Sequence, residues 1–194
     1  MTAGRERAAT DEGAQAPLSL VSMQNHFELF QLTPGYALDC AALEAAYREI
    51  QARVHPDRFA HAGDAERRAS MQWTTRVNEA YRTLKSPVAR AQYLLELRGV
   101  DVGLETNTSM PPEFLMQQME LREALERAGD ARDAAALDVL RAGLRRETRT
   151  LESSLAEAID ARRDYAGAAG LVRKLMFLEK LAAEIDLAYE ALEV

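Results

Sequence analysis

The sequence predicts an all-α fold, arranged as an N-terminal helical hairpin followed by a C-terminal three-helix bundle. Three observations carry this reading. Alanine, the strongest helix former, supplies 35 of the 194 residues. Apolar residues recur at three- and four-residue spacing along most of the chain, with no alternating run long enough for a strand. All six prolines lie at or before Pro112, so nothing beyond that point removes a backbone donor from a helix.

The elements follow in order. Residues 1–22 are small, polar and aperiodic, which predicts a disordered tail. Asn25 is placed to cap a short helix that runs to Leu32 and stops at Thr33-Pro34-Gly35. Asp39 caps a second helix with Leu43, Tyr47, Ile50 and Val54 on one face. Cys40, at its head, is expected to be a small core residue. This helix must end at His55-Pro56, because a proline disfavours helical geometry in the residue before it. Beyond a loop with Gly63, Asp64 opens a third helix that lines up Ala69, Trp73, Val77, Ala80 and Leu84. Pro87 opens a fourth, carrying Ala91, Leu94 and Leu95.

Gly99, Gly103, Asn107, Ser109 and Pro111-Pro112 then mark a join. The expected division is a tail at 1–22, a hairpin module at 23–99, a linker at 100–111 and a bundle at 112–194. Within the bundle, helices are expected over 112–128, 130–163 and 165–192, with a tight turn at Ala128-Gly129-Asp130. The stripes Leu137-Leu140-Leu144-Leu151-Leu155-Ile159 and Leu171-Leu175-Leu178-Ala182-Ile185 should bury against each other. Packing them within one chain predicts a monomer.

Composition excludes several classes of function. With 31 acidic against 24 basic residues the net charge is −7, which opposes general nucleic-acid binding because phosphates need a basic surface. No segment approaches the roughly 20 apolar residues that span a bilayer. Leu18-Ser19-Leu20-Val21 is too short for a signal-peptide core, and Glu6, Asp11 and Glu12 do not suit a mitochondrial presequence. A cytoplasmic location with no membrane partner is expected. One cysteine, Cys40, supports neither an internal disulfide nor a cysteine-rich metal site.

The sharpest feature is His55-Pro56-Asp57, an imidazole and a carboxylate flanking a stiff bend between two amphipathic helices. As a metal site it would recruit His55, Asp57, His61 and Asp64. No second ligand set, glycine-rich phosphate loop or nucleophile motif accompanies them, so neither catalysis nor a cofactor is expected. A second feature lies on the helix that follows Pro112. With Phe114 at zero and about 100° per residue, Leu121 and Leu125 fall within about 20° and face the bundle. Leu115, Met119 and Met116 fall near 100°, 140° and 200°, edged by Glu123 and Glu120 near 180° and 240°. The helix therefore has a second apolar face, rich in flexible methionine and rimmed by carboxylates, of the kind that binds protein. Phe177, about 100° off the last helix's apolar stripe, is placed to reach the same surface.

His55-Pro56-Asp57 between two such helices resembles the J-domain of Hsp70 co-chaperones. Phe27-Glu28-Leu29-Phe30, the run from Val77 to Leu84 and the run from Pro87 to Leu95 are similar to those of HscB-type J-proteins, the co-chaperones of iron–sulfur cluster assembly. So are Phe114 to Glu123 and Arg173 to Leu181, and the resemblance spans about 23–194. It implies stimulation of the ATPase of an HscA-type Hsp70 through His55, Pro56, Asp57, Arg48 and Arg58. It implies an IscU-type scaffold bound through Leu115, Met116, Met119, Glu120, Glu123 and Phe177. The alternative is a J-domain co-chaperone with a different client. Two departures stand out: Arg127 occupies a position where the family often has an acid, and Glu44 and Glu49 dilute the basic face expected around Arg48 and Arg53.

Overall fold

The computed structural model describes residues 25–59, 62–103 and 111–192, and among these it is helical without strands. The tail expected at 1–22, most of the linker and His61 lie outside the described residues. Helix α1 spans His26–Leu29, α2 Cys40–Val54, α3 Asp64–Lys85, α4 Pro87–Glu96, α5 Pro112–Asp130, α6 Ala134–Ala156 and α7 Tyr165–Leu192. A 3₁₀ turn, Pro56–Phe59, follows α2, and a π turn, Glu157–Arg162, widens the end of α6.

The caps form where the side chains allow. Asn25 Oδ1 accepts from the Phe27 and Glu28 N–H groups, and Glu28 returns a bond to the Asn25 N–H. Asp39 Oδ1 caps α2 through Ala41 and Ala42, and Ser86 Oγ caps α4 through Ala89. Helix α1 is shorter than expected: Gln31 turns left-handed at φ 56°, and Leu32 N–H folds back onto the Phe27 carbonyl.

Two further expectations are corrected. The turn after α5 is not at Gly129, which stays helical; Arg132 takes φ 51° and Asp133 caps α6 through the Ala136 N–H at 3.0 Å. Cys40 is exposed rather than buried, because the first residue after the Asp39 cap points off the end of the hairpin face that Leu43 begins.

Apolar burial is organised by α7, whose 28 residues serve two cores. Its first half, with Ala168, Ala169, Val172 and Leu175, joins Leu155, Ala158 and Ile159 beneath the hairpin residues Phe27, Phe30, Leu43, Val77, Leu84 and Leu95. Its second half, with Leu178, Leu181 and Ile185, closes the bundle against Leu125, Leu137 and Leu144. The N-terminal hairpin thus rests on the C-terminal helices through continuous apolar packing, the dominant favourable contribution to such a contact.

Polar bonds fix the junction. Asp160, on the π turn, accepts from the backbone N–H groups of Tyr36 and Ala37 at 2.7 and 2.8 Å. Arg173 Nη1 donates to the Val102 carbonyl at 2.7 Å, and Gln92 Nε2 reaches Met176 Sδ at 3.2 Å. Arg90, only 6% exposed, donates to the Leu84 carbonyl at 2.6 Å and lies over the Tyr36 ring.

Candidate functional site

The His55-Pro56-Asp57 corner is built from both long hairpin helices. Val54 ends α2 with its carbonyl unclaimed by the helix, and α3 supplies the missing donors: Ser70 Oγ at 2.7 Å and Thr74 Oγ1 at 3.2 Å. His55 leaves the helix at ψ 129°, as the following proline requires. The 3₁₀ turn then closes with Arg58 N–H on the His55 carbonyl at 3.0 Å. Behind it, Arg58 Nη1 reaches back to the Ala52 carbonyl at 3.1 Å, satisfying another group at the end of α2.

The corner faces outward. The side chain of His55 is 49% exposed and that of Asp57 90%, with Nδ1 and Oδ2 at 3.5 Å. The Asp57 N–H also donates to His55 Nδ1 at 3.3 Å, which ties the imidazole to the turn. Among the described residues no three histidine, cysteine or carboxylate side chains gather as a metal site.

Arg48 lies on the exposed face of α2, paired with Glu44 one turn earlier; Arg53 pairs with Glu49 in the same way. Arg48's hydrogen bond and charge hold the Glu44 carboxyl below its ordinary range, and Lys85 from the end of α3 adds to the effect. The sequence reading missed Lys85. Its ammonium rests on the Tyr81 ring and hydroxyl, and Tyr81 stacks on Tyr47 at 4.0 Å, which brings the end of α3 beside the basic face of α2. Only that cross-helix stack could have revealed it.

The second candidate site lies on α5. Leu115 is 45% exposed, Met116 62% and Met119 63%, and Glu120 and Glu123 stand exposed beside them. Phe114, on the opposite side of the helix, is buried and meets Phe177 edge to face at 5.7 Å. Phe177 is half-buried under the Arg122 guanidinium, and Lys174 lies over Phe114. Phe177 thus packs on the bundle side of α5 rather than among the exposed methionines, and Arg122 and Lys174 lie over this aromatic pair. Gln117 ties α5 to α6 through Glu147, which sets the rotation of the helix and so what it presents. The exposed methionines lie on a separate element from the exposed side chains of His55 and Asp57.

Comparison with known proteins agrees with this architecture. Residues 110–186 match a family model described as the HSCB C-terminal oligomerisation domain. The chain is 56% identical over 175 residues to a protein of Burkholderia multivorans named co-chaperone protein HscB homolog, covering 90% of this chain and 99% of that one. A homolog of the same name from Azoarcus is 54% identical over 170 residues, covering 88% and 96%. Among solved structures, the chaperone HscB from Vibrio cholerae aligns with a TM-score of 0.78 at 37% identity, over 87% of this chain and 99% of that one. The human co-chaperone HscB aligns with a TM-score of 0.83 at 27% identity, over 96% and 93%. A His-Pro-Asp corner with His55 and Asp57 exposed on a helical hairpin, in a chain that its relatives match over almost their whole length, places the chain in the HscB family, the J-domain co-chaperones of iron–sulfur cluster assembly.

Proposed function

We propose that the protein stimulates the ATPase of an HscA-type Hsp70 and delivers an IscU-type iron–sulfur scaffold to it, acting by binding rather than by catalysis. The observation that carries this reading is the outward presentation of His55 and Asp57 on a turn whose base is pinned by Ser70 and Thr74. A corner held at its base loses little freedom on docking, so more of the contact energy is left to favour one state of the partner. A ligand shifts a conformational equilibrium only by binding one state better than the other. His55, Pro56 and Asp57 supply that differential contact, Asp57 pairing with a cation of the chaperone. Arg48 and Arg58 steer the encounter with an acidic surface.

The exposed Leu115, Met116 and Met119, with Glu120, Glu123 and Phe177, receive the scaffold. Holding the scaffold on a body that is itself docked on the chaperone turns client capture into an intramolecular step with a raised effective concentration. Both modules pack on α7, which fixes one relative to the other.

The test is an ATPase assay of the chaperone, with this protein and the scaffold added singly and together. His55→Gln abolishes the acceleration and leaves scaffold binding unchanged. Glu120→Lys with Glu123→Lys weakens scaffold binding and leaves basal stimulation intact. Undiminished binding by the charge-reversed protein would move the client site elsewhere and favour a different client.

A further inference from the structure

Met116 and Met119 are 62% and 63% exposed, so both thioethers stand open to small solutes in water. Three residues apart on α5, they lie about 60° apart around the axis and about 4.5 Å apart along it, side by side on one face. A thioether is oxidised at sulfur to a sulfoxide, which turns a flexible apolar side chain into a polar one. The other methionines of the described helices are placed differently. Met71 is as exposed but belongs to α3 of the hairpin. Met176 is half-buried at the junction, its Sδ accepting from the Gln92 amide at 3.2 Å. Met116 and Met119 are thus the described methionines that combine an open sulfur with a place on the α5 face.

The surroundings decide what oxidation does there. A sulfoxide oxygen, once covered, must be hydrogen-bonded or its desolvation is uncompensated. Leu115 has no donor, and ionised Glu120 and Glu123 only accept. Gln117 Nε2 is engaged by the Glu147 carboxylate at 3.1 Å, and the Arg122 guanidinium lies over the Phe177 ring. No donor on the face is therefore arranged to meet the new oxygens. In water they are hydrated and the helix keeps its fold, because its buried contacts run through Phe114, Leu125 and Ala128. Under a docked partner that hydration is lost without replacement. The carboxylate rim also selects the oxidant, repelling anions and leaving a neutral hydroperoxide free to approach.

We infer that Met116 and Met119 form an oxidation site through which hydroperoxides switch off docking at the α5 face. With hydrogen peroxide, the O–O bond breaks, one oxygen joins sulfur and the other leaves as water. Sulfur is oxidised by two electrons and the peroxide is reduced by two. The return step takes two thiols and yields thioether, disulfide and water, catalysed by reductases specific for each sulfoxide epimer. The switch is therefore reversible. Oxidation at these two sulfurs stands on their exposure and placement; its effect on the scaffold rests on the function proposed above.

The test treats the full chain with hydrogen peroxide in metal-free buffer and removes the oxidant before untreated scaffold is added. Peptide mass spectrometry finds the mass of one oxygen gained at Met116 and at Met119 before Met176. Calorimetric titration shows scaffold affinity falling about ten-fold or more, while helical circular dichroism is unchanged. Both sulfoxide reductases, supplied with a dithiol, restore the affinity. The Met71→Leu protein responds to peroxide as the wild type does. The Met116→Leu/Met119→Leu protein, whatever affinity it starts from, shows no further loss on treatment. Sulfurs that stay reduced while Met176 is oxidised overturn the inference, as does a Leu variant that loses affinity as the wild type does. The untreated Glu120→Lys/Glu123→Lys protein separates the two claims. If it binds weakly while oxidised wild type binds fully, the client site stands and the switch falls. If it binds at full strength, the client site falls and the switch with it.

Discussion

Asp160 accepts the backbone N–H of Tyr36 at 2.7 Å across 124 residues of sequence, and the N–H of Ala37 at 2.8 Å with its other oxygen. One carboxylate on the π turn thereby holds the loop between α1 and α2 onto the C-terminal helices. Two bonds from neutral donors to a charged acceptor are worth more than neutral pairs, about 1.5 to 3 kcal/mol each where well formed. Asp160 is itself exposed, so the combined effect falls toward the low end. Asp160→Ala is expected to lower stability by about 2 kcal/mol in urea unfolding. Asp160→Asn, which keeps one acceptor but turns an NH₂ toward a donor, recovers only part of it.

Ser70 and Thr74 share the Val54 carbonyl immediately before the exposed corner. Ser70→Ala removes the shorter of the two bonds and costs about 1 kcal/mol, the usual net value of a neutral hydrogen bond. The expected functional signature is a lower maximal stimulation of the chaperone ATPase with unaltered scaffold affinity. A loss in scaffold affinity of the same size would mean that the substitution acts through general destabilisation.

Tyr36 is buried, and its hydroxyl has no hydrogen-bond partner among the described residues. Burial, reinforced by the charge of Glu152, pushes its pKa up to about 12. Tyr36→Phe keeps the ring under Arg90 and removes the unpaired hydroxyl, so it is expected to leave stability unchanged or raise it by up to about 1 kcal/mol. The pH dependence is also signed. The unfolded tyrosine ionises near its ordinary value of 10.0, before the folded one, so stability falls as pH rises from 10 toward 12. Denaturant midpoints should show that alkaline decline in the wild type and a smaller one in the Phe variant.

His26 stacks on Tyr93 at 4.1 Å, and burial lowers its pKa from 6.5. Below about pH 6.5 the unfolded chain takes up this proton more readily than the folded one. Stability therefore declines as pH falls through that value and levels off once the folded imidazole is also charged. His26→Phe keeps the stack and the backbone bond from residue 26 to the Tyr93 hydroxyl, and thermal melts across pH 5 to 7.5 are expected to lose this part of the slope.

Much of the site was legible in one dimension because its physics is local. Asn25, Asp39 and Ser86 cap helices through donors two or three residues away, and Pro56 acts on the residue just before it. The α5 face followed from a 3.6-residue period, which puts Met116 and Met119 outward wherever Phe114 and Leu125 turn in. The C-terminus of α5 was read two residues early because glycine only weakens a helix. Tertiary packing and the Asp133 cap decided where it ended.

The chain's own order of residues determined which helices form, where most of them stop and which tripeptide stands at the bend. The folded structure alone decided that Asp160 reaches Tyr36, that Arg90 is buried under a tyrosine, that Lys85 comes to the side of Arg48, and that Phe177 lies beneath Arg122. Helix periodicity specifies a direction around an axis but carries no information on how axes cross. Contacts between residues tens of positions apart exist only once the apolar stripes have settled on one packing of those axes.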